Sequence, residues 1–254
     1  MTELSRRSLI AGSLGASLAL PSIARATEGC GEQPNTAPAL QPPRLLTDWA
    51  WLDRYRQANA ELISSGTEVD AVFLGDSITE GWTSTDPAFF AKANVGRGIS
   101  AQTTPQLLVR MHADVIALKP RVVHIMAGTN DIAQNTGPMS PEDSKNNLTA
   151  MCEIARAHGI RVVLGSVPPA SKYWWRADLQ PKAVAIALND WMRAYAKETG
   201  AIYADYAAAL TDANGNVKLD LAKDEVHPTA AGYAAMRPVA EAAISCARSS
   251  TCRA

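Results

Sequence analysis

Four short runs of apolar residues, at 71–74, 122–126, 162–164 and, more weakly, 202–206, interrupt a chain in which hydrophobic side chains otherwise recur every three or four positions. Unbroken Val- and Ile-rich runs of that length predict strands buried on both faces. The intervening periodicity predicts helices at 48–64, 105–118, 141–158, 181–198 and 229–247. Several open on a proline and close near a glycine, as Pro141 does with Gly159 and Pro181 with Gly200, the asymmetry that first turns and C-caps favour. Strand and helix alternate, so the predicted class is α/β: a central parallel sheet with helices on both sides, a three-layer α/β/α sandwich. Ligands of such sheets bind beyond the carboxyl ends of the strands, so the chemistry is sought where each apolar run stops.

The rhythm is absent from the first 45 residues. Residues 1–26 combine Ser5-Arg6-Arg7, an uncharged apolar and small-residue run at 8–20, and Ala24-Arg25-Ala26. That order predicts an export signal with an A-x-A cleavage site, of twin-arginine type. The apolar run is shorter than the roughly 20 residues of a spanning helix, and no later segment reaches that length. The expectation is a periplasmic or secreted protein without stable membrane insertion. Residues 27–45, with Pro34, Pro38, Pro42 and Pro43, predict an extended lead-in, and 46–254 one domain. With 254 residues, 47% of them hydrophobic, the chain can bury a sizeable core.

Charge and cysteine usage narrow the classes further. The 24 basic and 25 acidic residues leave no surplus to neutralise a phosphate backbone, so nucleic acid is not an expected partner. Cys30 lies near the start of the mature chain, and Cys246 and Cys252 near its end. A disulfide between the termini or a local Cys246 to Cys252 bridge suits an oxidising compartment, while Cys152, inside a helical pattern, is expected as a buried thiol. No C-x-x-C or H-x-x-x-H spacing occurs, so a metal site is not expected. The residues before Cys30 do not form a lipobox.

Three places combine a strand end or loop with reactive side chains. The first run continues into Gly75-Asp76-Ser77-Ile78-Thr79, which places a serine hydroxyl on a strand-to-helix turn; an ordinary turn or N-cap uses the same residue types. The second ends in Gly128-Thr129-Asn130-Asp131, where the Asn130 amide can donate to an oxyanion or simply serve a turn. The third is Asp224-Glu225-Val226-His227-Pro228, just before the last predicted helix. A carboxylate three residues ahead of a histidine can hold its Nδ1–H and leave Nε2 to act as a base. Of the four histidines, His112 and His124 fall inside a helix and a strand and His158 at a helix end; only His227 has a loop position with a carboxylate beside it.

Taken together, GDSIT at 75–79, NVGRGISAQTT at 94–104, GTND at 128–131 and DEVHP at 224–228 resemble the ordered motifs of the SGNH (GDSL-like) hydrolase superfamily, over residues 69–239. Within it the chain looks most similar to bacterial esterases of the platelet-activating-factor acetylhydrolase and lysophospholipase-like group. The resemblance implies a flavodoxin-like sandwich, with Ser77 as nucleophile, His227 as general base and Asp224 orienting it. It also implies an oxyanion hole from the Ser77 backbone N–H, the Asn130 side chain and a backbone N–H in the second motif. The family places glycine at that second donor, where this chain has Ala101. A backbone N–H survives the change, so the donor is expected to persist provided Ala101 avoids positive φ.

The expected reaction is hydrolysis of short-acyl or acetyl carboxylic esters, lysophospholipid-like esters included, through an acyl-enzyme on Ser77, which requires no metal or organic cofactor. Tyr173, Trp174 and Trp175 follow the third run, where they serve either as a substrate platform for acyl or sugar groups or as packing. As a platform they would suit an exported carbohydrate O-acetyl esterase acting on polysaccharide. A catalytically silent ligand-binding protein is the alternative of another class. The elbow G-x-S-x-G is absent because position 79 is Thr79, and a dinucleotide loop would need a glycine where Ala101 stands.

Overall fold

Three of the predicted strands form on the Val- and Ile-rich runs, apolar apart from His124: β1 (Ala71–Gly75), β3 (Val122–Met126) and β4 (Arg161–Gly165). The computed structural model describes residues 43–249 apart from Lys92 and Asn214. Two more strands, β2 (Asn94–Gly98) and β5 (Ile202–Ala204), complete an all-parallel sheet of order β2-β1-β3-β4-β5. The register places Gly75 beside Gly98 on one side and beside Met126 on the other. The first two connections from β1 thus leave in opposite directions, and a crevice opens where the strand order reverses.

The helices divide between the faces. Alternate strand residues Val72, Leu74, Val123 and Ile125 pack with Leu107, Leu148 and Met192, from α5 (Thr104–Asp114), α7 (Pro141–Ala157) and α8 (Pro181–Thr199). Their neighbours Ala71, Phe73 and Val122 pack with Ile78, Trp82, Tyr206 and Met236 on the other side. Those come from α3 (Ser77–Thr85), α9 (Tyr206–Leu210) and α10 (Ala230–Arg248). Two dry layers on one sheet make the predicted three-layer sandwich.

Several boundaries differ from the periodicity. The helix expected at 48–64 begins only at Arg56 and runs to Ser65, because the Asp48 carboxylate accepts the N–H groups of Leu52 and Asp53 at 2.8 and 3.0 Å and offers that backbone a non-helical partner. A single helical turn at Arg44–Thr47 overlaps the end of the expected lead-in and crosses its boundary at 45. The fourth run stops being a strand at Ala204, since the Asp205 side chain accepts Ala208 N–H at 3.0 Å and starts a helix. β2 was not among the predicted strands. It carries Gly96 and Gly98 because α3 lies directly on it: a Cβ on Gly98 would sit 2.7 Å from the Asp76 carbonyl oxygen and closer still to Glu80 N.

Cys152 is a buried free thiol, and burial pushes it up to about 12. Cys246 is disulfide-bonded. The leader at 1–26, with Cys30 and Cys252, lies outside the described residues.

Candidate active site

Asp76 turns β1 into α3. Its buried carboxylate accepts Ile78 N–H at 3.0 Å and caps the helix, which places Ser77 at the first helical position on the rim of the sheet. Ser77 Oγ lies 2.9 Å from His227 Nε2, and His227 Nδ1 lies 2.8 Å from Asp224 Oδ2. The other Asp224 oxygen accepts the backbone N–H groups of Val226 and His227, at 3.1 and 2.7 Å. A carboxylate offers only acceptors, so the imidazole proton belongs on Nδ1 and Nε2 is free to accept from the Ser77 hydroxyl. Partial burial raises the Asp224 pKa, but the hydrogen bonds from His227 and Val226 outweigh it and hold the carboxyl below its ordinary value. Tyr233 of α10 donates to the Ile78 carbonyl at 2.9 Å, tying the helix that follows the His227 loop to the helix that carries Ser77.

The other histidines do not compete. His124 is buried in β3, 2.7 Å from the Tyr206 hydroxyl and against the Phe73 ring, and burial lowers it to about 3. His112 and His158 are exposed.

At the end of β3, Asn130 is buried in the short helix Thr129–Ile132 (α6), and its Nδ2 donates to Asp76 Oδ2 at 3.1 Å. Burial is the main cause that raises the Asp76 pKa, to about 6. The Asp131 carboxylate is taken up elsewhere: it accepts from the Thr104 backbone at 3.0 Å, from the Thr104 hydroxyl and from Ser144 at 3.1 Å. It thereby joins α6 to the first turns of α5 and α7. Asp76 and Asp131 had no role in the sequence reading although both lie in its motifs; the signal was a second carboxylate beside each candidate residue.

The loop after β2 is held from the nucleophile helix. Glu80 Oε2 accepts Ser100 N–H at 2.8 Å and the Ser100 hydroxyl at 2.5 Å, and Tyr55 donates to the Gly98 carbonyl at 2.5 Å. The expectation for Ala101 needs correction: its φ is +64°. The turn from β2 into α5, closed by Gln102 N–H to the Ile99 carbonyl at 3.3 Å, requires the left-handed region, where a Cβ costs about 1–2 kcal/mol. Neither the Ser77 nor the Ala101 backbone N–H has an acceptor among the described residues.

Of the platform and packing readings of the aromatic loop, the platform is corrected for Tyr173. Tyr173 is 1% exposed and packs against Ala170, Ala133 and Val226, so it supports the His227 loop and offers no surface to a substrate. Trp174 is exposed and Trp175 half-buried. The open cleft above Ser77 is lined instead by Arg54, Glu80, Asn94, Arg97 and Lys223 together with His227, and by none of the three aromatics. A more enclosed cavity between α8 and α9, lined by Asn189, Arg193 and Tyr203, holds none of the candidate residues.

Comparison with known proteins bears on this geometry. The model of the GDSL-like Lipase/Acylhydrolase family matches residues 73–235. A GDSL-like lipase from Bacteroides thetaiotaomicron is 39% identical, and the alignment covers 78% of this chain and 98% of that one with a TM-score of 0.74. The chain belongs to the GDSL-like lipase/acylhydrolase family. The family is one of lipases and acylhydrolases, and the matched segment contains Ser77, Asn130, Asp224 and His227. The uncharacterized lipoprotein YqeF of Bacillus subtilis is 31% identical over 119 residues, 39% of this chain, and the chain spans about half (49%) of that relative's length. An acetylxylan esterase of Geobacillus stearothermophilus shares the fold at 21% identity, with 69% of this chain and 94% of that one covered and a TM-score of 0.57.

Proposed function

We propose that this GDSL-family chain is an exported serine esterase that cleaves short-acyl or acetyl esters through an acyl-enzyme on Ser77. The observation that carries the proposal is the continuous hydrogen-bonded line from Ser77 Oγ through His227 to Asp224, at 2.9 and 2.8 Å. In this reading His227 Nε2 takes the Ser77 proton as Oγ attacks the ester carbonyl, and Asp224 stabilises the imidazolium. The oxyanion is met by the Ser77 backbone N–H and the Asn130 amide, and by the Ala101 N–H, which has no acceptor among the described residues although Ala101 takes a φ of +64°. His227 then protonates the departing alcohol, and water repeats the sequence on the acyl-enzyme.

An open cleft that sets Arg54, Glu80, Arg97 and Lys223 beside Phe90 and Val95 supports a small acyl group and a polar leaving group. The same lining supports the second reading, an O-acetyl esterase acting on polysaccharide, to which the structural likeness with an acetylxylan esterase lends a precedent of fold. Export rests on the leader sequence and on the lipoprotein nature of YqeF. Among the described residues no helix is long and apolar enough to cross a membrane.

The test is release of p-nitrophenol from acetate, butyrate and octanoate esters, beside release of acetate from an acetylated oligosaccharide. Acetate esters should turn over fastest, and Ser77→Ala and His227→Ala should each lower kcat by about 10³-fold or more. Octanoate as the preferred ester would overturn the short-acyl reading. A wild-type protein that cleaves none of the esters and resists a fluorophosphonate would leave the silent binding protein standing.

A further inference from the structure

Asn130 is useful as an oxyanion donor only if its carboxamide presents nitrogen, and not oxygen, to the cleft. A carboxamide is nearly symmetric in shape, so something must choose. The choice is made from two sides, by Asp76 at one end and by a line of donors that begins outside the cleft at the other. Trp175 Nε1 donates to Asn135 Oδ1 at 2.9 Å, Asn135 Nδ2 donates to Asn130 Oδ1 at 2.6 Å, and Asn130 Nδ2 donates to Asp76 Oδ2 at 3.1 Å. An indole nitrogen is a donor and never an acceptor, so it fixes Asn135 with oxygen toward Trp175 and nitrogen toward Asn130. That in turn fixes Asn130 with oxygen toward Asn135. At the far end, the ionised Asp76 carboxylate accepts only. The chain of bonds can run in one direction.

The two loops that carry it are joined by one further bond, and each is braced within itself. Arg176 donates to the Ala133 carbonyl at 2.8 Å, the Trp175 ring stacks on Tyr173 at 5.0 Å, and Asn135 N–H donates to the Asn130 carbonyl at 3.0 Å. We infer that Asn135 and Trp175 are positioning residues for the esterase reaction, locking the Asn130 carboxamide with its N–H groups on the Asp76 side of the cleft, where the oxyanion forms. The inference rests on the hydrolase reading above and assigns Trp175 to the transition state in place of the substrate platform.

The test uses Asn135→Asp, Asn135→Ala and Trp175→Phe, each alone and on an Asn130→Ala background, with p-nitrophenyl acetate. Asn135→Asp keeps the size and the acceptor for Trp175 but loses the donor to Asn130. Trp175→Phe keeps the ring and loses its N–H. Loss of Asn130 itself should cost about 10²- to 10³-fold in kcat. The Asn135 variants should then cost about tenfold or more and Trp175→Phe about three- to tenfold, with KM within about twofold of wild type. On the Asn130→Ala background all three should be silent. An active wild type whose kcat is unchanged by Asn135→Asp overturns the inference alone, as does an equal loss on both backgrounds, which marks a merely structural role. A wild type without esterase activity overturns the hydrolase reading and this inference with it.

Discussion

Replacing Asp224 by asparagine tests whether the carboxylate acts by fixing a proton. Asp224 makes three hydrogen bonds with two oxygens: one oxygen takes the Val226 and His227 amides and the other takes His227 Nδ1. A carboxamide has a single acceptor oxygen. Kept on the two amides, it turns its NH₂ toward Nδ1, which must then lose its proton; the proton moves to Nε2, and the imidazole can no longer accept from Ser77. Turned toward Nδ1, it leaves two part-buried backbone donors facing an NH₂ group, at about 1–2 kcal/mol each, the lower part of the usual range for a lost partner. The reactive arrangement therefore lies about 2–4 kcal/mol above the unreactive one, a loss of about 30- to 10³-fold. Loss of the negative charge opposite the imidazolium adds about tenfold, taken low because Asp224 is 30% exposed and its field is screened. The product is about 300- to 10⁴-fold in kcat on p-nitrophenyl acetate, with KM little changed. An Asp224→Asn variant that keeps more than a tenth of the wild-type kcat would refute the tautomer argument.

Two further outcomes follow from the packing around Ser77. Gly98→Ala should destabilise the protein by about 3 kcal/mol or more in urea unfolding, since its Cβ meets the backbone of Asp76 and Glu80; Gly200→Ala, with open space but φ +77°, should cost only about 1 kcal/mol. Near equal losses would show that α3 can move off β2. Asp76 sets a pH dependence: its folded pKa, about 6, stands above its ordinary value of 3.8 chiefly because it is buried, so its contribution to stability is full below about pH 4 and is lost as pH rises through 6. The loss is about 3 kcal/mol. Urea midpoints of wild type and Asp76→Asn between pH 4.5 and 7.5 should therefore shift in favour of the variant as pH rises, and a pH-independent difference would contradict the assignment.

What the sequence made legible was local. β1, β3 and β4 announce themselves because both faces of each strand are apolar, and Ser77, Asp224 and His227 stand out because they lie in short loops at strand and helix ends. β2 does not, since Gly96 and Gly98 replace the expected Val and Ile to admit α3. That helix, SITEGWTST, is poor in strong helix formers and owes its start to the Asp76 cap and its place to buried Ile78 and Trp82. Partners brought together by loops far apart in sequence, such as Trp175 with Asn135 or Glu80 with Ser100, leave no periodic trace. The aromatic loop shows the limit: three adjacent rings suggested one shared purpose, and the fold gave Tyr173 to the core and tied Trp175 to Asn135.

The most direct test of the central claim is to trap the covalent intermediate: mix the protein with p-nitrophenyl acetate, quench in acid within the first turnovers, and locate the acetyl group by peptide mass spectrometry. The expected result is acetyl on Ser77 in the wild type and none in Ser77→Ala, whose turnover falls by about 10³-fold or more. Acetyl on another residue, or undiminished hydrolysis by Ser77→Ala, would contradict Ser77 as the nucleophile.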